Sequence, residues 1–241
     1  MAISGEPQVF LFLSELLGKK IIEQTGKELG RVFDITAEFL EPYPLATGLT
    51  LGSAQKEKPL FLSWENVVEV EKNIIVAPGS ADKLMELNLG ANELLLRDDL
   101  LDKQIVDTDG AKIRRVNDLQ FLEIMTGLHL VHVDVGFRGL IRRIGITKAM
   151  DFIFQGLFDY QLPDQFISWK LVQPLLSPDR LQLSITQNRL SQIHPADLAD
   201  ILEDLDIKQR KAVFQSLDVE TAAETLEETD PKIQVSLIND L

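Results

Sequence analysis

The chain contains two related twenty-residue segments, at residues 16–35 and 100–119. A chain with an internal duplication is expected to fold each copy into the same supersecondary unit. We therefore expect two similar modules in succession. Without a gap, at an offset of 84, the copies share eight identities: Leu16/Leu100, Leu17/Leu101, Lys19/Lys103, Ile21/Ile105, Gly26/Gly110, Arg31/Arg115, Val32/Val116 and Asp34/Asp118.

Each copy has the pattern of a β-hairpin. A short β-branched run leads to a turn that contains Gly26 or Gly110, where glycine supplies the positive φ of the turn, and a second strand follows. Both copies end on Ser-Trp, at Trp64 and Trp169, and an aromatic residue that recurs at one module position indicates a core side chain. These tryptophans are 105 residues apart, so the second copy carries an insertion, and its stretch 147–160 has the pattern of an amphipathic helix.

The order of these features resembles the PRC-barrel, a small β-barrel domain. The features are Leu-x-x-Lys, a β-branched run, a glycine turn, Val-x-Asp and a later Ser-Trp, and the resemblance covers roughly residues 8–78 and 93–176. The segment from Leu130 to Gly145 resembles a variant found in bacterial proteins that join such barrels to MgtE-like helices. The family implies docking and scaffolding rather than catalysis.

From residue 188 onward the sequence repeats every twelve residues. His194-Pro195, Asp206, Asp218 and Asp230-Pro231 recur at this spacing. Because Asp is a preferred helix N-cap and Pro is favoured at the first helical position, the spacing predicts four helices of about ten residues that start near 195, 207, 219 and 231. Taken in pairs they form a 24-residue helical hairpin, present twice. We expect this array to continue beyond residue 241 or to pack its apolar end on another surface.

The residues of this array are similar to the N-terminal intracellular domain of MgtE magnesium transporters, over roughly residues 188–241. In that family the helical superhelix closes on downstream CBS domains when Mg²⁺ bridges acidic residues between them. One of these acidic residues lies in an Ala-Ala-Glu element, which is Ala222-Ala223-Glu224 here. The resemblance implies that Glu224 is half of a Mg²⁺ site, with its other ligands in later repeats and in a CBS-type domain outside residues 1–241. The alternative for Glu224 is a solvated helix residue without a role in cation binding.

The acidity of the chain limits its partners. The net charge is −14 and the pI about 4.6. Since affinity for phosphate backbones rests on Lys and Arg, we expect no nucleic-acid binding, and cations or basic proteins are the better partners. Cysteine is absent, which excludes disulfides and thiolate chemistry. No apolar run is long enough for a membrane helix and no signal peptide is visible, so we expect a cytoplasmic location without membrane insertion.

The motifs of known active sites are incomplete in this chain. Neither a phosphate-binding loop, a calcium loop nor a nucleophile elbow is present. His129 and His132 are three apart on a predicted strand and are expected on opposite faces. Arg138, Arg142 and Arg143 form a basic cluster that is either a solvated edge or a contact for anionic lipid or an acidic partner. We therefore predict a protein that is not an enzyme.

The predicted fold class is α+β, with two consecutive small PRC-like β-barrels followed by an all-α helical-hairpin superhelix. The predicted domains are 1–92, 93–187 and 188–241. The predicted function is a non-catalytic cytosolic regulatory or scaffold module linked to magnesium sensing or transport, whose barrels dock to a protein partner or form a homodimer. One alternative is a PRC-barrel docking protein for ribosome or RNA maturation, without a cation role. A third hypothesis is an enzyme with an unfamiliar site between the barrels.

Overall fold

The computed structural model describes residues 9–52, 59–124, 126–147, 163–175 and 187–239. A strand-rich N-terminal part precedes C-terminal helices, which confirms the α+β class. The chain divides into two compact units, the first drawn from Met1–Leu101 and Asn117–Trp169, the second from Asp102–Val116 and Lys170–Leu241. Within the described ranges, no helix combines the length and the apolar character needed to cross a membrane. The amphipathic helix predicted for 147–160 lies, apart from Thr147, outside the described residues.

Strands are the main elements of the first 175 residues. Four helices of nine or ten residues follow within the last 50 residues. The strands are β1 (Val9–Phe12), β2 (Lys20–Glu23), β3 (Glu28–Glu38), β4 (Leu45–Gly52), β5 (Leu60–Ser63), β6 (Val67–Val70), β7 (Ile74–Val76), β8 (Met85–Glu86), β9 (Glu93–Leu95), β10 (Gln104–Asp107), β11 (Lys112–Arg115), β12 (Asp118–Ile124), β13 (Gly127–Asp134), β14 (Phe166–Ser168) and β15 (Val172–Pro174). The helices are α1 (Leu13–Leu16), α2 (Phe137–Ile144), α3 (Gln187–Leu190), α4 (Pro195–Asp204), α5 (Ile207–Ser216), α6 (Val219–Glu228) and α7 (Pro231–Asn239). Tight 3-10 turns cover Trp64–Asn66, Ser80–Lys83 and Trp169–Leu171, and a π-turn covers Leu96–Leu100.

Strands from both sequence copies share one sheet in the first unit. Its main path runs β1-β12-β13-β4-β3-β2-β7-β6, with β9 beside β3, β14 beside β13 and β5 between β4 and β8. Because the two copies are joined in this single sheet, two separate consecutive barrels are not confirmed. The hairpin β10–β11 of the second copy belongs to the second unit, whereas β12 and β13 belong to the first. The predicted domain boundaries at residues 92 and 187 therefore stay a prediction from the sequence.

The two copies nevertheless have the same strand pairing. In the first copy Thr36 pairs with Gly48 and Ala37 with Ala46, so that Thr47 bulges out of the ladder. Adding 84 to these residue numbers gives the pairing of the second copy, in which Gln120 pairs with His132 and Phe121 with Leu130. The bulged residue of the second copy is therefore Val131. Strands β4 and β13 pair with each other at Leu45 and His129, which are also 84 apart. An antiparallel contact between equivalent residues places an approximate twofold axis at this strand pair.

The copies also exchange their first strands. Strand β1 of the first copy pairs with β12 of the second, and β9 of the second pairs with β3 of the first. The turns that follow these strands differ by one residue, since Leu17 N bonds to Leu13 O but Leu101 N bonds to Leu96 O. The π-turn of the second copy contains one additional residue. Equivalent residues of the two copies are therefore 83 positions apart before the turn and 84 positions apart after it. The exchange buries the apolar side chains of both turns, Leu13, Leu16, Leu96 and Leu100.

The second unit combines the small sheet β11-β10-β15 with the C-terminal helices. Helices α4 to α7 begin at residues 195, 207, 219 and 231, which confirms the twelve-residue pattern. The predicted caps are also confirmed, because the side chains of His194, Asp206 and Asp218 accept backbone N–H bonds at the helix starts and Asp230 Oδ1 accepts one from Lys232 N. The buried core of this unit consists of Val106, Leu190, Ile193, Leu198, Ile201, Leu202, Leu205, Val213, Phe214 and Leu237.

The 24-residue hairpin repeat is visible in the side-chain bonds of the array. Arg210 donates to the carbonyl oxygens of Leu202 at 2.6 Å and Leu205 at 2.8 Å. Twenty-four residues later, Gln234 donates to the carbonyl oxygens of Leu226 at 2.7 Å and Thr229 at 3.0 Å. The carbonyls at a helix end have no partner within the helix. One side chain thus satisfies the same two carbonyls in each hairpin.

Candidate functional site

Two buried aspartates hold the exchanged segments together. Asp34 Oδ1 accepts the backbone N–H of Arg97 at 2.7 Å, and its Oδ2 accepts that of Asp98 at 3.1 Å. At the equivalent place Asp118 Oδ1 accepts the N–H of Ser14 at 3.1 Å, and its Oδ2 the hydroxyl of the same serine at 2.6 Å. Each carboxylate therefore caps the helical turn of the other copy, a role that satisfies the free N–H groups at a helix start. The pair Asp34/Asp118 is one of the identities of the repeat, so the sequence did carry a signal for it.

Asp118 lies next to the positive charge of Arg142. Asp118 is fully buried, and its Oδ2 lies 3.2 Å from Arg142 Nη1, which also lies 3.1 Å from Oδ2 of the buried Asp134. The second guanidinium nitrogen, Nη2, lies 3.3 Å from Asp164 Oδ1. The guanidinium group also stacks 3.5 Å from the ring centre of Phe12. Arg142 is therefore an internal ion-pair centre, and neither interpretation of the basic cluster at a surface applies to it.

Burial changes the acidity of the carboxyl groups in this network. It raises the pKa of Asp34 to about 6, although the backbone N–H groups of Arg97, Ile35 and Asp98 act in the opposite direction. Burial also raises the pKa of Asp134, against the lowering effects of the Gly136 N–H and of Arg142. Among the described residues, no buried side-chain nitrogen or oxygen lacks a hydrogen-bond partner. The network is thus satisfied internally and has the character of a structural clamp.

The two strand histidines are placed differently from the prediction. Both His129 and His132 are half-buried, while Leu128, Leu130 and Val131 between and beside them are buried. The bulge at Val131 adds one residue to the strand and returns the two histidines to the same face, so the prediction of opposite faces is wrong. His129 Nε2 lies 3.0 Å from Thr126 Oγ1, and His132 Nδ1 lies 2.9 Å from Gln120 Oε1.

The two tryptophans of the repeat have different surroundings. Trp169 is 2% exposed, and the ring of Phe39 meets it edge-on at 5.3 Å. This confirms a core role for Trp169. Trp64 is only half-buried and lines an open pocket of about 540 Å³ in the first unit. The prediction of a core side chain therefore describes one copy of the repeat and not the other.

Glu224, the predicted half of a cation site, lies exposed on helix α6. Within the described ranges, no group of three or more His, Asp or Glu side chains could hold a metal ion. The role of Glu224 therefore stays a prediction. An acidic pocket of about 400 Å³ lies beside α4 in the second unit and is lined by Asp200, Glu203, Asp204 and Lys112. Glu203 is engaged there as the acceptor of the Asp230 N–H at 2.9 Å.

Comparison with known families gives one match near each end of the chain. A family model for the PRC-barrel domain matches residues 8–84, and one for the MgtE intracellular N domain matches residues 193–241. No curated protein matches the chain. The PRC-barrel model matches the first sequence copy, and a second PRC-barrel is not confirmed. The MgtE match begins one residue before the cap of α4 and includes all four capped helices.

Proposed function

We propose that this chain is a non-catalytic regulatory or scaffold module linked to the sensing or transport of magnesium. The observation that carries the proposal is the match of residues 193–241 to the MgtE intracellular N domain, over a four-helix array with regularly spaced caps. Both matched families are non-catalytic, which supports a role in binding and regulation. A cytoplasmic location belongs to the same proposal.

The strand-rich unit supplies the docking function in this proposal. Its match to the PRC-barrel domain supports a scaffold that binds a protein partner or a second copy of the chain. We extend the assignment to both sequence copies, because β3–β4 and β12–β13 have the same pairing and the same bulge. The clamp formed by Asp34 and Asp118 joins the copies into one body, as a rigid docking platform requires.

The helical array supplies the cation contact. Glu224 is exposed. The sequence from residue 189 onward contains 12 Asp and Glu but only 5 Lys and Arg, and this excess of negative charge attracts cations. Mg²⁺ prefers oxygen ligands and retains several waters, and one carboxylate therefore binds it weakly. The full site needs carboxylates from a partner surface, for which a CBS-type domain is the candidate. Glu224 would then contribute one oxygen ligand from its exposed position on α6.

The proposal is tested by thermal melting of the chain in increasing Mg²⁺, up to the ~millimolar range of weak oxygen-ligand sites. K⁺ at matched ionic strength controls for screening. The Glu224→Ala variant removes the predicted ligand, and Glu228→Ala removes the same charge from another exposed position of α6. We expect a saturable rise in Tm with Mg²⁺ that Glu228→Ala retains and Glu224→Ala loses.

Two results would contradict the cation role. A rise in Tm that K⁺ and both variants reproduce would be charge screening on an acidic surface. The absence of any Mg²⁺ effect would show that this chain does not respond to the ion. Either result leaves residues 1–241 as a docking scaffold without a cation response of their own, and the alternative of a ribosome or RNA maturation factor then becomes the better description.

A further inference from the structure

The pocket beside Trp64 has a filled counterpart in the other sequence copy. Its walls are Phe61, Ser63, Trp64 and Glu65 on one side, residues 45–47 of β4, and Thr126 and Gly127 at the turn between β12 and β13. With a volume of about 540 Å³, it has the size of a site for a small ligand or a few side chains. The equivalent tryptophan, Trp169, is covered by the ring of Phe39.

The difference follows from the length of one connection. In the first copy six residues, 39–44, connect β3 to β4, and this segment supplies Phe39. In the second copy β12 and β13 continue to Ile124 and Gly127, which pair with each other. The residue equivalent to Phe39 is Glu123, which lies within the ladder opposite Leu128 and is exposed. The longer hairpin therefore does not bring an aromatic ring over Trp64 from this position.

Two of the side chains that line the pocket, Phe61 and Leu45, are held by close contacts with backbone glycines. The ring of Phe61 lies directly over Gly48, since a Cβ at that glycine would lie 2.2 Å from Phe61 Cε2. Leu45 similarly lies against Gly127, where a Cβ would be 2.8 Å from Leu45 Cδ1. Two close backbone approaches thus hold the apolar side chains that flank Trp64. A preformed aromatic pocket binds with a smaller ordering cost than one that must assemble.

The chemistry of the walls selects the occupant. The counterpart site takes an aromatic ring from the segment Phe39-Leu-Glu-Pro-Tyr-Pro44. The residue after the tryptophan is Lys170 in the second sequence copy and Glu65 in the first, and Glu65, which lines the open pocket, favours a cationic neighbour. The chain carries a net charge of −14, which repels a second copy and attracts basic partners. We infer that the Trp64 pocket binds an aromatic side chain, flanked by Lys or Arg, from a segment of a basic partner protein.

This inference rests on the docking role proposed above and assigns a site to it. The probe is the peptide Lys-Phe-Leu-Lys-Pro-Tyr-Pro, which is the covering segment with a lysine before the aromatic residue and in place of the glutamate. Binding to the full chain is followed by tryptophan fluorescence. The chain has only two tryptophans, and Trp169 is buried, so acrylamide quenching reports Trp64. We expect the free protein to show one accessible tryptophan, which the peptide protects in a saturable manner.

Two variants separate the pocket from general attraction to an acidic surface. Glu65→Lys and Glu69→Lys make the same charge change at exposed positions of the first copy, but only Glu65 lines the pocket. We expect Glu65→Lys to weaken the binding of the peptide about fivefold, which is the upper end of the range for one lost exposed charge contact, and Glu69→Lys to change Kd by less than about twofold. Replacement of the peptide's phenylalanine by alanine should abolish protection. The variant Trp64→Phe lacks the fluorescent reporter, so its binding is followed by titration calorimetry, in which we expect it to bind the peptide.

Four outcomes would overturn the inference. They are equal weakening by both charge variants, equal binding of the alanine peptide, a free protein in which neither tryptophan is quenched, and a concentration-dependent dimer that Trp64→Ala dissociates. The third would mean that the chain itself covers the pocket, and the fourth that a second copy does. The assay contains no Mg²⁺ and leaves Glu224 intact, so its failure is distinguishable from failure of the cation role.

Discussion

Asp34 should make this protein more stable towards acid, contrary to the usual effect of carboxyl groups. Its folded-state pKa of about 6 lies above the ordinary value of 3.8 because burial disfavours the charged form. Between these two values the folded chain binds more protons than the unfolded chain, so this group's contribution to the free energy of unfolding rises as the pH falls through 6. The difference in pKa corresponds to about 3 kcal/mol in full, of which roughly 2 kcal/mol falls between about pH 7.5 and pH 4.

The variant Asp34→Asn removes the titrating group and keeps its shape. We expect it to destabilise the fold by about 1–3 kcal/mol near neutral pH, because an amide nitrogen replaces one of the acceptors for Arg97 and Asp98. Denaturant unfolding at a series of pH values then measures the difference between wild type and variant. This difference should grow by roughly 2 kcal/mol from about pH 7.5 to pH 4. In the wild type, carboxyl-carbon NMR should show a titration with a midpoint near 6.

A difference that stays constant with pH would refute this reasoning. A difference that shrinks in acid would show that the bonds from the backbone N–H groups outweigh burial. The NMR titration decides between a wrong pKa and a compensating effect elsewhere, because it reports Asp34 directly. Both measurements use the intact chain, since the clamp involves residues from both sequence copies.

Two further changes test the packing of the first unit. Arg142→Met should lower the free energy of unfolding, measured with denaturant, by about 3–5 kcal/mol, because it leaves the buried carboxylates of Asp118 and Asp134 without their cation. A decrease of less than about 1 kcal/mol would contradict the internal ion-pair centre. Gly48→Ala should lower the free energy of unfolding by about 1–3 kcal/mol, because its methyl group would overlap the ring of Phe61 and the carbonyl of Leu62; an unchanged stability would show that this ring can move aside.

Matched controls exist for both changes. Arg138 is 31% exposed and pairs with Asp164 at 3.7 Å, so Arg138→Met removes the same charge at a cost of about 1 kcal/mol or less. Gly90→Ala places a methyl group 3.3 Å from the far end of the Glu93 side chain, which can move aside. It should leave the stability within about 0.5 kcal/mol of the wild type.

The local features of the fold could be predicted from the sequence. The helix starts at 195, 207, 219 and 231 followed from caps and spacing, because a cap side chain bonds to N–H groups two or three residues away. The duplication likewise predicted the two similar hairpins, β2–β3 and β10–β11. Even here one local inference was wrong, since the positive φ of the second turn belongs to Ala111 rather than to Gly110.

The contacts that distinguish the two copies depend on residues far apart in the chain. The sequence alone determined that two related hairpins and a regular helical array exist. It also indicated Glu224 as a candidate Mg²⁺ ligand, and the structure adds only that this side chain is exposed. Only the tertiary structure decided that the copies exchange strands, that Arg142 points inward, and that Trp64 borders a pocket while Trp169 is covered. The physical reason is that capping and periodicity act within a turn of chain, whereas strand exchange, ion pairing and cavity filling depend on which surfaces meet across about a hundred residues.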